Sequence, residues 1–378
     1  MSILIGADMV PTASNVDRFC SSNTYELIGK ELQRVLSKAD FRIFNLEVPL
    51  ADQNTPIKKC GPALIAPTAT AEGMKAIGAN LFTLANNHIM DQGEPGLRTT
   101  CNTLKKQEID FVGAGETPEQ AATPYIFVNK NKTIGVYACA EHEFSIVSKT
   151  SCGANPYDPL ESFDHIVSLK EKCDYVIVLY HGGKEHYRYP SPELQKTCRK
   201  FVNKGADLVV CQHSHCIGCE EVFENGRIVY GQGNFLFDLQ SNEFWQTGLL
   251  VEITDDFTIN YIPVCKNGNA VRLAGDEEKK NILDAFAKRS EDICVEGFVQ
   301  AEYTKFAASM QESYLLALSG IKRRSFFVRA LNKLTGGRYL KFLLKRKYGT
   351  NAKLVIRNFV ECEAHRELLL RSIGDITE

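Results

Sequence analysis

The stretches Tyr175-Val-Ile-Val-Leu-Tyr-His181-Gly-Gly and Leu208-Val-Val-Cys-Gln-His-Ser-His215, with the amphipathic segment Pro192–Asn203 between them, decide the fold. Each apolar run is continuous, too short for a helix, and followed at once by histidine. Such runs read as strands covered on both faces, and strand, helix, strand in succession predicts a parallel sheet of an α/β domain. The same texture extends back to the start of the chain. Ser2–Ile5, Phe41–Phe44, Leu81–Leu84, Phe111–Val112 and Thr133–Ala138 read as strands, and Tyr25–Leu36, Pro95–Lys106 and Pro159–Lys172 as helices. Forward of Leu208 come closely spaced β runs, Glu220–Phe223, Arg227–Tyr230, Gly248–Thr254 and Thr258–Val264, with turn signals at Asn225-Gly226 and Asp255-Asp256. That spacing predicts antiparallel pairing. From Gly275 onward strands give way to helical periodicity in Tyr314–Leu318, Phe326–Leu334, Tyr339–Leu344 and Leu354–Ile373. The reading is therefore an α/β domain over residues 1–274 and a helical, basic region over 275–378.

Composition narrows the function classes. Of 378 residues, 44% are apolar and 24% charged, and a formal charge of −2 argues against a chain that tracks nucleic acid as a whole. Thirteen cysteines, an odd number at irregular spacing, predict reduced thiols rather than a disulfide framework. The crowding of Cys211, Cys216 and Cys219 around two histidines leaves a zinc-knuckle reading open beside that of buried free thiols. Met1-Ser-Ile-Leu-Ile runs straight into Gly6-Ala-Asp8 without a charged leader, and no uncharged apolar run approaches the length of a membrane span. The expected location is cytoplasmic.

In α/β sheets, loops at the carboxyl ends of strands collect ligands. Asp8 follows the first apolar run, Asn45 and Glu47 the second, and Asn86-Asn87-His88 with Asp91 the third; His181 closes the Tyr175 run, and His213 and His215 follow the Leu208 run. Carboxylate, amide and imidazole converging on what should be one edge of one sheet suits Mn, Fe or Zn better than calcium. His213 and His215 on a tight loop could reach one ion or two adjacent ions; alternatively, a histidine pair merely caps a strand end. His142, His165, His186 and His365 carry no such pattern.

Six strings in order, Gly6-Ala-Asp8, Asn45-Leu-Glu47-Val-Pro49, Leu84-Ala-Asn-Asn87-His88-Ile-Met-Asp91, His181-Gly-Gly-Lys-Glu185, Gly205-Ala-Asp207 through His213-Ser-His215, and Tyr230-Gly-Gln-Gly-Asn234-Phe-Leu-Phe-Asp238, resemble the CapA-type family of capsule and poly-γ-glutamate biosynthesis proteins. The core of that family is similar to calcineurin-like metallophosphoesterases. The resemblance implies a four-layer α/β/β/α sandwich and a site for two divalent metal ions at the strand ends. It implies Asp8, Glu47, Asn87, His181, His213 and His215 as ligands and His88 as general acid or transition-state stabiliser, with Asp91 beside it. Departures are Gly-Ala-Asp where Gly-Asp is commoner and Gln212-His213 where Gly-His is commoner. Such a site would activate water against a phosphoester or a γ-glutamyl amide. Asn45, Asp91 and Asn234 are candidate orienting partners. Asn45, Lys59, Glu185, Arg188 and Asn234 are candidate substrate contacts, with Lys58 and Lys184 nearby; solvated surface charges are the plainer reading of the lysines. The substrate expected is an anionic polymer or a phosphorylated glycan. The competing reading is a non-catalytic accessory subunit of a membrane-associated polymer synthesis or export machine.

Residues 322–347 hold ten basic residues and no acid. Phe326, Phe327, Ala330, Leu331 and Leu334, then Leu340, Leu343 and Leu344, fall at helical spacing around Gly336-Gly337. This pattern fits peripheral docking on an anionic membrane, packing on the α/β core with a solvated basic side, or binding of an acidic polymer.

Overall fold

The computed structural model of the chain describes residues 2–238, 242–320 and 326–374. Two compact units divide it, Met1–Gln300 and Ala301–Glu378.

Two sheets form the centre of the first unit. In the first, the strand order is Ala270–Leu273, Ile259–Asn267, Thr247–Ile253, Ile3–Met9, Phe41–Leu46, Leu81–Thr83, Asp110–Val112, and Asn234–Leu236 pairs in parallel with Ile3–Met9. In the second the order is Glu220–Phe223, Gly226–Val229, Leu208–Gln212, Tyr175–His181, Lys132–Ala140, Tyr125–Asn129. Ile3, Ile5, Ile43, Leu81 and Val251 of the first sheet pack with Val136, Ile177, Leu179, Leu208 and Val210 of the second in one buried cluster. Alternate side chains of the same strands point outward. Leu4, Phe44 and Phe82 meet Leu27, Leu32 and Leu104 from helices Thr24–Lys38 and Gly93–Lys106, while Val176, Val178 and Val209 meet Ile166, Leu169, Cys198 and Phe201 from helices Ser162–Lys170 and Pro192–Asn203. Every strand residue from Tyr175 to His181 is thus buried, which is why the run has no polar alternation. The layers are helix, sheet, sheet, helix, as expected.

Local chemistry explains the elements. Helix Pro192–Asn203 starts on Ser191, whose side chain accepts from the Leu194 N–H, with proline in the first turn where a missing N–H costs nothing. Its buried residues, Leu194, Cys198, Phe201 and Val202, recur at helical spacing and form one stripe. Gly6 lies against the Phe44 ring, where an added Cβ would sit 2.3 Å from ring carbons, so no larger residue fits the first strand there.

Three expectations change. The late β runs are not uniformly antiparallel: Gly226–Val229 pairs antiparallel with Glu220–Phe223 but parallel with Leu208–Gln212, because the Asn225-Gly226 turn folds a hairpin whose second limb extends the parallel sheet. The polar strand ends belong to two facing sheets, not one. The compact unit runs on to Gln300 rather than ending at 274, since helix Asp276–Asp292 buries Phe286 with Ile217 and Leu249 and sets its ring 4.8 Å from that of Tyr261.

The second unit is helical, with Phe326–Leu334, Arg338–Lys347, Thr350–Glu361 and Glu363–Gly374. Its buried cluster consists of Leu316, Leu340, Leu344 and Tyr348, with Leu315 and Ile356 against it. Lys322, Arg323 and Arg324 of the basic segment lie outside the described residues, as do the side chains of Phe326 and Phe327. Among the described residues no helix is long and apolar enough to cross a membrane.

Candidate metal centre

Both sheets end at the same place. The first contributes Asp8 from strand Ile3–Met9, Glu47 just past Phe41–Leu46, and Asn86, Asn87 and His88 beyond Leu81–Thr83; the second contributes His181 and, in register beside it, Gln212 leading into His213 and His215. The pairing of Ile3–Met9 with Phe41–Leu46 shifts register between Ile5 and Asp8. Such an irregularity re-aims a side chain at the end of a strand. His213 and His215 sit at φ of +85° and +53°, a left-handed conformation rare for residues with a Cβ and concentrated at functional sites.

The nitrogens and oxygens converge. Nε2 of His181 lies 3.0 Å from Asn87 Oδ1, 3.1 Å from His213 Nδ1 and 3.6 Å from Glu47 Oε1. Nδ1 of His215 lies 3.0 Å from Asn234 Oδ1 and 3.3 Å from Asp8 Oδ2. Two groups of potential ligands result, Glu47 with His181 and His213, and Asp8 with Glu47 and His215, each with its ligand atoms within 4.8 Å of one another. Glu47 belongs to both, and Asn87 joins the first. All six expected ligands are brought together.

Burial tests whether a cation fits. Asp8 Oδ2 and both carboxylate oxygens of Glu47 are buried and accept no hydrogen bond within the protein. An uncompensated buried carboxylate costs several kcal/mol, so these oxygens are suited to a positive ion. Burial, with Asp8 next to it, pushes the Glu47 carboxyl well above the usual range. Burial lowers His213 to about 4 and holds His181 well below its ordinary value, with neighbouring imidazoles adding to both. Both rings are therefore neutral at physiological pH, the form that ligates metal. Burial also lowers His215, but the Asp8 carboxylate 3.3 Å away outweighs it and leaves that ring raised.

The surrounding amides hold this set in place. Asn45, fully buried, donates to Asp8 Oδ1 at 2.8 Å, lies 3.3 Å from His181 Nδ1, and accepts from Asn86 at 3.0 Å. Asn45 and Asn234, expected both as orienting partners and as substrate contacts, are committed to orienting Asp8, His181 and His215. Gln212 reaches Gly6 O and Gln232 Oε1, each at 3.3 Å, and Gln232 donates to Ile5 O and Leu249 O, so two amides tie the sheets together behind the site. Gln232 and Glu143, whose Oε2 accepts from Asn87 Nδ2 at 3.0 Å, were not singled out in the sequence. The glycines on either side of Gln232, at φ of +128° and +73°, are the local sign that backbone passes closely here.

His88 stands at the rim with its side chain 13% exposed. Its Nδ1 is 2.6 Å from Asp91 Oδ2, leaving Nε2 to exchange a proton. Asp91 is fully buried and also accepts from Leu64 N–H and from Lys59 Nζ, both at 2.6 Å, so it positions His88 from behind. Lys59, expected as a substrate contact, pairs with Asp91 and lies 3.3 Å from Asn87 O, with a side chain only 3% exposed. Arg188 donates to Ile217 O at 3.0 Å and covers the Phe244 ring at 4.8 Å. Glu185 is half-buried; burial raises its carboxyl, but His213, His215 and Lys184 outweigh that and hold it low. His186 accepts from Trp245 Nε1 at 2.9 Å, and the Trp245 ring lies 4.5 Å from that of His215, giving the site an aromatic wall. Cys211, Cys216 and Cys219 are buried free thiols and belong to neither ligand group.

The chain is 31% identical over 224 residues to the capsule biosynthesis protein CapA of Bacillus anthracis, covering 56% of this chain and 54% of the relative. It is 28% identical over 230 residues to the PGA biosynthesis protein CapA of Bacillus subtilis, covering 59% and 60%. The matched region thus spans little more than half the length of these relatives. Among solved structures, a phosphatase from Mycoplasma pneumoniae superposes on 71% of the chain and 94% of its own, with 14% identity and a TM-score of 0.45. Residues 4–239, which carry every ligand and amide described above, match the family described as bacterial capsule synthesis protein PGA_cap, and the chain belongs to that family.

Proposed function

We propose that the chain is a hydrolase of capsule, exopolysaccharide or poly-γ-glutamate biosynthesis, dependent on two divalent cations of the Mn, Fe or Zn type, that cleaves a phosphoester or a γ-glutamyl amide. The observation that carries this reading is the pair of donor groups sharing Glu47, with three carboxylate oxygens buried and unsatisfied. Asp8, Glu47 and His215 would hold one ion, and Glu47, Asn87, His181 and His213 the other. Two such ions supply positive charge that activates water and neutralises an oxyanion. Asn45 and Asn234 fix the ligand orientations, and Asp91 holds the His88 ring so that Nε2 can deliver a proton to a leaving oxygen or nitrogen. Thirteen cysteines, odd in number and irregularly spaced, support a reducing, cytoplasmic location.

The accessory-subunit reading is favoured by one feature, the basic helical unit. Elemental analysis of the wild type beside Asp8→Ala and His213→Ala, coupled to assays on a phosphomonoester, a phosphodiester and γ-glutamyl peptides with added Mn²⁺ or Zn²⁺, separates the two. About two metals per chain, lost together with turnover in both variants, is the expected result. His88→Asn should keep the metals and lower kcat by about 10²–10⁴-fold, the usual contribution of a general acid. Metal without turnover on any substrate would leave the accessory role.

A further inference from the structure

The helical unit turns apolar side chains outward. Helix Arg338–Lys347 buries Leu340 and Leu344 against Leu316 and Tyr348. At about 100° per residue, the position opposite those two is Phe342, which is 60% exposed. Lys341, Arg338, Lys345 and Arg346 surround Phe342 on the same side, all exposed. The preceding helix adds Leu331 and Leu334, the latter 82% exposed, next to exposed Lys333. An aromatic ring and two leucines are thus exposed among cations on consecutive helices, and exposed apolar side chains rimmed by charge mark interaction surfaces.

We infer that the exposed residues from Leu331 to Arg346 dock on an anionic lipid surface, with Leu331, Leu334 and Phe342 inserting among the acyl chains and Lys333, Arg338, Lys341, Lys345 and Arg346 meeting the headgroups. Charge complementarity selects this occupant. A second copy would bring a like-charged face against this one, because the sequence from 322 to 347 carries no acid. A nucleic acid would satisfy the cations but gives no reward for exposed leucine, whereas a bilayer rewards both, with apolar burial and electrostatic attraction adding. The inference does not depend on the metal centre.

The test is sedimentation of the full chain with vesicles of phosphatidylcholine alone and of phosphatidylcholine mixed with phosphatidylglycerol. Binding is expected only to the mixed vesicles. The double variant Lys345→Gln, Arg346→Gln should bind about 25-fold more weakly, about fivefold for each charge near the surface. Phe342→Ser should weaken binding at high salt, where the apolar contribution dominates. All three substitutions lie on exposed positions, so circular dichroism should be unchanged and metal content equal to wild type. Binding to neutral and anionic vesicles alike, binding that salt abolishes and Phe342→Ser leaves untouched, or concentration-dependent self-association without vesicle binding would each overturn the inference. So would retention on a polyanion such as DNA in place of vesicles.

Discussion

The α/β unit and the helical unit misplace polarity in opposite senses. In the first, Asp8 Oδ2 and both Glu47 carboxylate oxygens are buried with no hydrogen-bond partner inside a core of dozens of well-packed apolar side chains. In the second, Leu334, Phe342, Leu354, Val360, Leu368 and Leu370 stand in solvent, and the buried cluster among the described residues is Leu316, Leu340, Leu344 and Tyr348. Folding alone explains neither arrangement, since each carries a cost that packing around it does not remove. Under the proposed function and the further inference, each marks something bound: cations at the buried acids, an apolar and anionic surface at the exposed helices. Orphaned polarity inside and orphaned apolarity outside are the same physical argument read from two sides.

The strongest way to break the first half of the comparison is Glu47→Ala. Because Glu47 appears in both ligand groups, its loss should remove both ions and all metal-dependent turnover at least as completely as Asp8→Ala or His213→Ala, each of which strips one group of one ligand. Chelating the wild type should lower its Tm by about 5–10 °C, the effect of withdrawing a ligand present at about a hundred times its Kd. In the chelated protein the order reverses. Glu47→Gln, which keeps the shape and removes the unpaired charge, should then melt above the chelated wild type, as differential scanning calorimetry would show. If chelation changes neither Tm nor the ranking of the two, the orphaned oxygens do not mark a cation site.

The second half is sharpened by truncating the small core. Leu344→Ala truncates one of the four side chains buried among the described residues of this unit, and such a change costs about 2–5 kcal/mol in a packed site. A unit with so little apolar burial should lose its fold, and calorimetry of the full chain should lose a low-temperature transition while metal content stays as in wild type. Phe342→Ser, on the opposite face of the same helix, should leave that transition in place. A single transition shifted by Leu344→Ala would mean that the two units unfold together.

What the sequence discloses about the site follows from how strands end. A continuous apolar run that ends at or shortly before Asp8, Asn87, His181 or His213 places that residue near a sheet edge, because the run marks roughly where the strand stops. Relations between strands are not written in any one segment. That Asn45 spans from Asp8 on one sheet to His181 on the other, or that Gln212 and Gln232 join the sheets, depends on register and on which faces meet. Lys59 reads as a surface cation near glycine and proline, and only the fold brings Asp91 to it and buries both. Short elements are likewise hidden. Asn234–Leu236 is three residues long, and Tyr125–Asn129 alternates half-buried with exposed positions at the sheet edge, so neither shows a sustained pattern. Helix Asp276–Asp292 joins the first unit through Phe286 and its neighbours, while the change from strand to helix at 274 is the louder signal.

The smallest effect concerns a buried charge that does have a partner, which sets the scale for those that do not. Lys266 donates to Phe237 O at 2.6 Å, yet burial lowers its pKa to about 8, with Asp238 offsetting only part of that. Between about pH 8 and the ordinary lysine value near 10.5, the unfolded chain holds a proton that the folded chain has released. The unfolded state therefore binds more protons in that window, and stability rises with pH through it. Urea unfolding at the two ends of the window should show a gain of about 1–2 kcal/mol once solvent screening at this partly exposed site is allowed for. Lys266→Met should flatten the rise. A rise that persists in the variant would assign the proton to another group, and no rise in either would mean that the carbonyl and Asp238 stabilise the ammonium fully.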